Sequence, residues 1–176
     1  FIHAAALDFQ GKSLIISGWR DIGKTLMTLK ILKRYSSCFL SDDLTLISAH
    51  GRILAFPLPL KISRRHIKEL EIKHLLTPSR KVKLALLELL EKIPVLRRRI
   101  EAIMYVKIKD IMNNVCITPS SYIGYIIFLK KSRENEIVTL DREELIRRIS
   151  HLNMWEREYW NDRVFIPYSF VDEKFN

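Results

Sequence analysis

An eight-residue glycine-containing stretch at positions 18–25 constrains the fold of this chain more than any other feature. It reads G-W-R-D-I-G-K-T and matches the phosphate-binding pattern G-x-x-x-x-G-K-T. A short apolar run at residues 13–17 precedes it and predicts a buried strand. Residues 26–34 follow with helical periodicity and basic residues in their last turn, which predicts a helix. Strand, glycine loop and helix in this order are the context that a phosphate-binding loop (P-loop) requires.

The residue types in this stretch explain how it would hold a nucleotide. Two glycines let backbone N–H groups approach phosphate oxygens, and the helix start adds N–H groups and the positive end of its dipole. The lysine reaches the β- and γ-phosphates, and the threonine hydroxyl ligates Mg²⁺. A strand–turn–helix corner with an incidental lysine is the alternative, and the flanking pattern disfavours it. The predicted nucleotide-binding residues are Gly18, Trp19, Arg20, Asp21, Ile22, Gly23, Lys24 and Thr25.

A pair of carboxylates, Asp42 and Asp43, ends the next apolar strand at residues 37–41. Consecutive strand residues face opposite sides, so the two acids can hold different roles. One can address Mg²⁺ on the metal side of the phosphates, and the other can accept a proton from an attacking hydroxyl. The alternative is a polar strand end with a capping aspartate. The preceding P-loop favours the functional interpretation.

Composition and charge indicate a globular chain with a basic middle. Its 176 residues are 48% apolar and 28% charged, which predicts one folded domain over residues 1–176. Residues 61–110 hold 14 Lys/Arg and 6 Asp/Glu, so they carry +8 of the net charge of +10. Such a segment could bind nucleic acid, an acidic partner protein or further phosphates, or be a solvated helical surface. Arg64, Arg65 and Arg80 are its best-placed candidates for contacting phosphate.

The remaining pattern predicts several further elements. The tail, with Trp155, Tyr159 and Trp160 at helical spacing, is expected to pack into the core rather than to form a partner surface. The other expected elements are a hairpin (1–9 and 13–17), a second hairpin (44–48 and 52–56), helices (63–76, 80–93, and 142–152 capped by Asp141), an edge strand (104–108), a loop (113–121) and a buried strand (124–129).

Cysteine usage and hydropathy bear on the compartment. Cys38 and Cys116 are far apart in the sequence and lack metal-type spacing, which argues against a disulfide framework and favours a reducing cytosol. No apolar run is long enough to span a bilayer, and the first residues show no signal-peptide pattern. We therefore expect a cytoplasmic protein without membrane contact. Because the chain begins at Phe1, we also expect that an N-terminal portion is missing.

In this order and spacing, the motifs resemble the HPr kinase/phosphorylase superfamily, whose P-loop fold is shared with ATP-dependent phosphoenolpyruvate carboxykinase. The match consists of H-A-A-A at residues 3–6 before a hairpin, the loop at 18–25, and F-L-S-D-D at 39–43. Residues 52–62, R-I-L-A-F-P-L-P-L-K-I, resemble the F-P-x-P segment of the smaller HPr-kinase-related proteins. The resemblance extends over residues 3–152 and is most specific over 3–62.

The resemblance implies an α/β fold in which a P-loop-containing mixed β-sheet has flanking helices. Its parts would be a nucleotide-binding core (3–62), a basic helical segment (63–110) and a closing strand and helix (123–152). HPr kinases form homo-oligomers, so a homo-oligomer is compatible with the resemblance. The family's glycine- and arginine-containing signature after the nucleotide core is not found here. The resemblance therefore does not extend to the phosphorylase reaction or to HPr as substrate.

The resemblance also implies catalytic roles for individual residues. A histidine at position 3 would by itself be structural more often than catalytic, but the family pattern implies a catalytic role for His3. It also implies that the Asp42–Asp43 pair serves as general base and as metal or water positioner. In the mechanism that we expect, Lys24 and one of Arg64, Arg65 or Arg80 would neutralise charge, and Thr25 with Asp42 would hold Mg²⁺. Asp43, helped by His3, would act as the general base.

The resulting hypothesis is a kinase that uses ATP and Mg²⁺ to phosphorylate a hydroxyl, favouring serine of a protein or peptide acceptor. The alternative is a P-loop NTPase that acts as a nucleotide-driven switch, with or without nucleic-acid binding through the basic middle. A degenerate fold that only senses nucleotide is a third interpretation. The intact Lys24, Thr25, Asp42 and Asp43 argue against that third interpretation.

Overall fold

A seven-stranded mixed β-sheet lies at the centre of the computed structural model, which describes residues 1–91, 103–134 and 136–160. The strands of the described chain are β1 (Ala4–Phe9), β2 (Lys12–Gly18), β3 (Cys38–Ser41), β4 (Leu46–Ile47), β5 (Arg52–Leu54), β6 (Leu60–Ser63), β7 (Ile103–Val106), β8 (Cys116–Ile117) and β9 (Ser120–Leu129). The order across the sheet is β4-β5-β9-β2-β1-β3-β8, and β6 pairs with β7 in a separate two-stranded ribbon.

Helices flank the sheet, and local side chains explain where two of them begin. The Ser63 N–H donates to His66 Nδ1 at 3.0 Å, and the Glu144 N–H donates to Asp141 Oδ1 at 2.7 Å. None of the helices in the described ranges combines the length and the hydropathy needed to cross a bilayer. The helices are α1 (Lys24–Arg34), α2 (Arg64–Leu70), a 3₁₀ turn (Ile72–Leu75), α3 (Pro78–Glu91), α4 (Ile108–Ile111) and α5 (Arg142–Trp160).

The strand directions bring distant parts of the chain to one edge of the sheet. β1 is antiparallel to both β2 and β3, while β9 runs parallel to β2. The carboxyl ends of β2, β3 and β9 therefore meet at the edge where β1 begins. This topology alone places His3, the residues after Gly18 and the residues after Ser41 close together.

Apolar side chains pack on both faces of the sheet. On one face, α1 presents Leu26 and Leu29 to a cluster that also contains Leu7 and Phe39. Full burial of each such side chain contributes about 1.5–3 kcal/mol, so this face fixes α1 and the loop before it. The opposite face has a smaller cluster of Ala4, Ala6, Ile15, Leu40 and Ile53.

The expected α/β class, with a mixed sheet and flanking helices, is confirmed. Both expected hairpins, the helix after the P-loop and the helix capped by Asp141 are also confirmed. The helix expected over 63–76 ends at Leu70, because Glu71 adopts a left-handed φ of 55° and a 3₁₀ turn follows. The helix expected over 80–93 is observed as α3 as far as Glu91. Residues 92–93 and the cationic run at 97–99 lie outside the described residues.

Three expectations about the second half of the chain are wrong. Residues 113–121 are not only a loop, because they contain β8 and the start of β9. The strand at 124–129 exists, but it is not fully buried, since Tyr125 is 71% exposed. Trp155 is 62% exposed and does not pack into the core.

The expectation that Cys38 and Cys116 are unpaired is also wrong, because they form a disulfide. They are 78 residues apart in the sequence, but β3 and β8 pair in parallel with the two cysteines directly opposite each other. Their separation along the chain gave no indication that Cys38 and Cys116 are close in the fold. The disulfide removes the cysteine-based argument for a reducing cytosol.

Candidate functional site

The P-loop adopts a backbone conformation that depends on its two glycines. Gly18 has a φ of 150°, and a Cβ there would lie 2.8 Å from the carbonyl oxygen of Leu129. Gly23 has a φ of 103° and is the N-cap of α1, where no side chain caps the free N–H groups. The first turn of α1 also lacks an acidic residue. The helix start therefore keeps its N–H groups and positive dipole available to an anion.

Lys24 is buried against the loop that it follows. Its Nζ donates to the carbonyl oxygens of Gly18 at 2.7 Å and Trp19 at 3.1 Å, and only 5% of the residue is exposed. Burial lowers the pKa of Lys24, while the charges of Asp43 and Asp42 oppose that shift. The lysine is thus held beside the start of α1.

His3 contacts this same ammonium group, with Nε2 lying 2.8 Å from Lys24 Nζ. An ammonium group can only donate, so Nε2 accepts and the proton of the neutral ring is on Nδ1. Burial, together with the charges of Lys24 and Arg20, lowers the pKa of His3 to about 3. The structure therefore brings His3 to Lys24 as a neutral hydrogen-bond acceptor.

Asp42 and Thr25 form the second contact pair of the site. The Thr25 hydroxyl donates to Asp42 Oδ2 at 2.8 Å, and Asp42 is only 2% exposed. The other carboxylate oxygen, Oδ1, is buried and has no hydrogen-bond partner among the described residues. Burial and the charge of Asp43 together raise the pKa of Asp42 to about 7. An unsatisfied buried carboxylate oxygen is costly unless a cation or donor occupies the space beside it.

These two side chains fit a magnesium ion. Mg²⁺ prefers oxygen ligands and is usually held by one or two carboxylates together with substrate phosphates and water. Asp42 Oδ1 and the Thr25 hydroxyl supply such oxygens beside the N-terminus of α1. The described part of the chain has no group of three or more His, Cys, Asp or Glu side chains that could hold a metal ion by themselves. A metal here would therefore need phosphate oxygens to complete its ligands.

Asp43 occupies an unusual backbone conformation next to this pair. It has a φ of 65°, and the Leu44 N–H donates to the Asp42 carbonyl at 2.8 Å, which closes a three-residue turn around Asp43. A non-glycine residue in this left-handed conformation is strained, and strained backbone is common at active sites. Burial raises the pKa of Asp43, while the charges of Lys24, Lys61 and Arg20 lower it. The turn gives Asp43 an environment different from that of Asp42.

Helix α5 also contacts the site, which sequence patterns did not predict. Glu156 is only 6% exposed and accepts from Arg20 Nε at 2.8 Å. Asn153 Oδ1 accepts the backbone N–H of His3 at 2.9 Å. One signal could have indicated Glu156, since it follows Leu152 by four residues on the buried side of α5, where a carboxylate needs a partner. Helix α5 thus forms hydrogen bonds with both the P-loop and the residue that precedes β1.

Two of the three candidate phosphate-contacting arginines pair with acids outside the P-loop. Arg65 pairs with Glu69 at 2.6 Å, and Arg80 pairs with Asp110 at 2.7 Å. Arg64 is exposed at the start of α2. Arg20, inside the loop, and Lys61, on β6, are instead the additional cations whose charges act on Asp43. Lys61 was not among the predicted site residues.

Comparisons with known proteins add no family to this picture. No protein-family model and no curated protein sequence matches the chain. The resemblance to HPr kinases consequently depends on the order and spacing of the motifs around His3, the P-loop and Asp42–Asp43.

Proposed function

We propose that this chain is an HPr-kinase-like phosphotransferase that moves the γ-phosphate of ATP to a hydroxyl, with serine of a protein or peptide as the favoured acceptor. One observation carries the proposal. Lys24, the Thr25–Asp42 pair and Asp43 lie at one edge of the sheet, around the uncapped start of α1. These are the groups that phosphoryl transfer needs for binding phosphate, holding a metal and accepting a proton.

Phosphate binding is assigned to the P-loop and Lys24. The free N–H groups at the start of α1 would bind phosphate oxygens, and the Lys24 ammonium would neutralise their charge. Lys24 donates to the loop carbonyls of Gly18 and Trp19. On nucleotide binding, at least one of these donated hydrogen bonds would be exchanged for one to phosphate.

The metal site is assigned to Asp42 and Thr25. The unpartnered Oδ1 of Asp42 supports this assignment, because a cation would satisfy it. When bound, Mg²⁺ would neutralise charge on the phosphates. With a metal present, Asp42 would be ionised despite its burial.

The proton acceptor is assigned to Asp43. A general base works best when its pKa approaches the working pH, and burial raises the pKa of Asp43 in that direction. Its left-handed conformation separates it from Asp42, which supports different roles for the two acids. In this scheme Asp43 accepts the proton of the attacking hydroxyl.

His3 is assigned as a positioning residue for Lys24, because its Nε2 contacts Lys24 Nζ. As a neutral hydrogen-bond acceptor, His3 orients the ammonium group of Lys24 and does not neutralise its positive charge. This role differs from direct assistance to Asp43, which the family resemblance implies.

Transfer of labelled γ-phosphate tests the proposal. The full chain is incubated with ATP, Mg²⁺ and a mixture of serine-containing peptides, and both labelled peptide and free phosphate are measured. We expect peptide labelling that Asp43→Asn abolishes while nucleotide binding is retained. Asp141→Asn is the matched control, because asparagine caps a helix as well as aspartate does.

Two outcomes would contradict the proposal. Full phosphate release without any acceptor would instead indicate an NTPase. Undiminished transfer by Asp43→Asn would refute the assignment of the base.

A further inference from the structure

A groove beside the P-loop follows one side of α1 and has no role in the chemistry described above. It encloses about 390 Å³ and begins at Ile22 and Gly23. It continues along Met27 and Ile31 to Tyr35, beyond the end of the helix. Between positions 23 and 35 the lining residues form two adjacent rows with a spacing of four, namely 23, 27, 31 and 35, and 26, 30 and 34, so the groove follows a single stripe of α1. One end of the groove therefore lies where phosphate would bind.

Apolar and cationic side chains together line the groove. Lys30, Arg34 and Arg65 contribute the charges, and none of the described residues that line it is acidic. Glu69, outside the lining, accepts from Lys30 at 2.9 Å and from Arg65 at 2.6 Å. Three cations and this one acid leave a net charge of +2. An anionic occupant with apolar groups would complement this surface.

We propose that this groove, formed by α1 with Arg65 and Leu129, docks an extended acidic segment of the protein acceptor. This inference rests on the proposed function, since it specifies the acceptor for the same site. Helix α1 has 11 residues and therefore rises about 16 Å, which about five extended peptide residues would span. A serine placed at the Gly23 end would have its acidic residues within about five positions, beside Lys30 and Arg34.

The lining favours a peptide over a nucleic acid. Nucleic-acid strands bind by stacking bases on aromatic side chains, and Tyr35 is the one aromatic residue among the described lining. The Arg34 guanidinium already lies 5.8 Å from the centre of the Tyr35 ring. Aliphatic side chains such as Met27 and Ile31 instead suit the side chains of a peptide.

Fluorescence anisotropy with the full chain tests this docking surface directly. The probe is a labelled peptide of about ten residues with one serine and several glutamates within five positions of it. Its counterpart has glutamine in place of each glutamate. We expect the acidic peptide to bind at least ~10-fold more tightly than the glutamine peptide.

Adjacent residues on α1 provide a matched pair of variants. Arg34 lines the groove, whereas Lys33 lines a different cavity on the other side of the helix, and both residues are exposed. Arg34→Glu and Lys33→Glu change the net charge equally. We expect Arg34→Glu to weaken binding of the acidic peptide ~10-fold and Lys33→Glu to change it less than ~2-fold. Thermal unfolding of both variants verifies that each is folded.

Three results would overturn the docking surface. Equal affinity for the acidic and glutamine peptides would remove the charge argument. Equal weakening by the two variants would indicate non-specific electrostatics. Tighter binding of a single-stranded oligonucleotide, lost in Arg34→Glu, would assign the groove to nucleic acid.

Binding and phosphoryl transfer are measured separately, so the two proposals can fail independently. If the acidic peptide binds and Arg34→Glu weakens this binding, but no peptide is phosphorylated, the docking surface is supported and the kinase activity is refuted. If peptides are phosphorylated without any preference for acidic ones, the kinase activity is supported and the docking surface is refuted.

Discussion

Lys24 Nζ and His3 Nε2 lie 2.8 Å apart in a buried hydrogen bond that joins the P-loop helix to the start of β1. The contact links two titratable groups whose positive charges would repel each other. The imidazole remains neutral, since burial and the adjacent ammonium lower the pKa of His3 to about 3. A neutral histidine in this position stabilises the orientation of Lys24 and adds no charge to the proposed phosphate site.

His3 should make the protein less stable in mild acid. Its pKa in the folded state is below the unfolded value of 6.5, so the unfolded chain binds a proton that the native protein does not. Stability contributed by His3 is therefore present above pH 6.5 and is lost as pH falls towards 3. Between pH 6.5 and pH 5 the loss is about 2 kcal/mol, at about 1.4 kcal/mol per pKa unit.

The variant His3→Gln tests this dependence, because glutamine can still accept from Lys24 and does not titrate. Urea unfolding at pH 5 and pH 7 should show a smaller acid-induced loss of stability in the variant than in the wild type. His50→Gln, at an exposed turn, is the control. If His3→Gln and the wild type lose stability equally, His3 is not buried as a neutral ring.

Asp42 should have the opposite effect. Burial raises its pKa from 3.8 to about 7, so the native protein binds a proton that the unfolded chain releases. The protonated form favours the fold, and this stability is lost as pH rises from about 4 through 7. Without nucleotide or metal, Asp42→Asn should therefore be more stable than the wild type at pH 8, by about 2–4 kcal/mol.

The pH dependence of the stability gained in Asp42→Asn shows whether the raised pKa of Asp42 is its cause. The difference between Asp42→Asn and the wild type should shrink as pH falls to 5, where Asp42 is protonated. Asp141→Asn should show no such trend. An Asp42→Asn variant that is equally or less stable than the wild type at pH 8 would contradict a raised pKa for Asp42. A stability gain paired with lost activity would show that this carboxylate is retained for function.

The sequence pattern predicted the parts of the site that are contiguous along the chain. The P-loop at 18–25 needs consecutive residues in one turn, so its pattern is visible directly. The proximity of Thr25 and Asp42 followed from recognising two strand ends, because strands of one direction end at the same sheet edge. His3 was assigned to the site only through the order of the family motifs, since an isolated histidine does not indicate which residues lie near it.

Long-range pairings were the parts that sequence patterns could not predict. Arg20 and Glu156 are 136 residues apart, and the Cys38–Cys116 disulfide spans 78 residues. Both depend on which elements become neighbours, whereas hydrophobic periodicity reports only which side of an element is apolar. The same limit explains why the exposure of Tyr125 was not predicted. An apolar strand has the same sequence pattern whether or not a helix covers it. Helix α1 packs on β1 and β2, and this side chain on β9 is exposed.

The ion pair between Arg20 and Glu156 should be energetically asymmetric. The Arg20 side chain is 46% exposed and can be hydrated, but that of Glu156 is only 7% exposed. Arg20→Ala leaves a buried carboxylate without this partner and should cost about 3 kcal/mol of unfolding free energy. Glu156→Gln keeps a hydrogen-bond acceptor for Arg20 and should cost about 1 kcal/mol.

A double-mutant cycle measures this asymmetry. Adding Glu156→Gln to Arg20→Ala should restore part of the stability that Arg20→Ala loses, because no charge then remains buried. Arg147→Ala is the control, since Arg147 is exposed on the same helix and pairs with Glu144. Strictly additive losses would show that Arg20 and Glu156 do not stabilise each other.

The Cys38–Cys116 disulfide should stabilise the edge of the sheet. Among the described strands, β8 pairs only with β3, and it has two residues, so the disulfide adds a covalent bond to a short pairing. Closing a loop of this length restricts the unfolded chain and typically contributes about 2–4 kcal/mol. A reductant should therefore lower the unfolding midpoint of the wild type, and Cys116→Ser should have the same low midpoint with or without reductant. A wild-type midpoint that does not respond to reductant would show that the disulfide contributes nothing to stability. A free-thiol assay on the unreduced, denatured chain would separately show whether the bond forms.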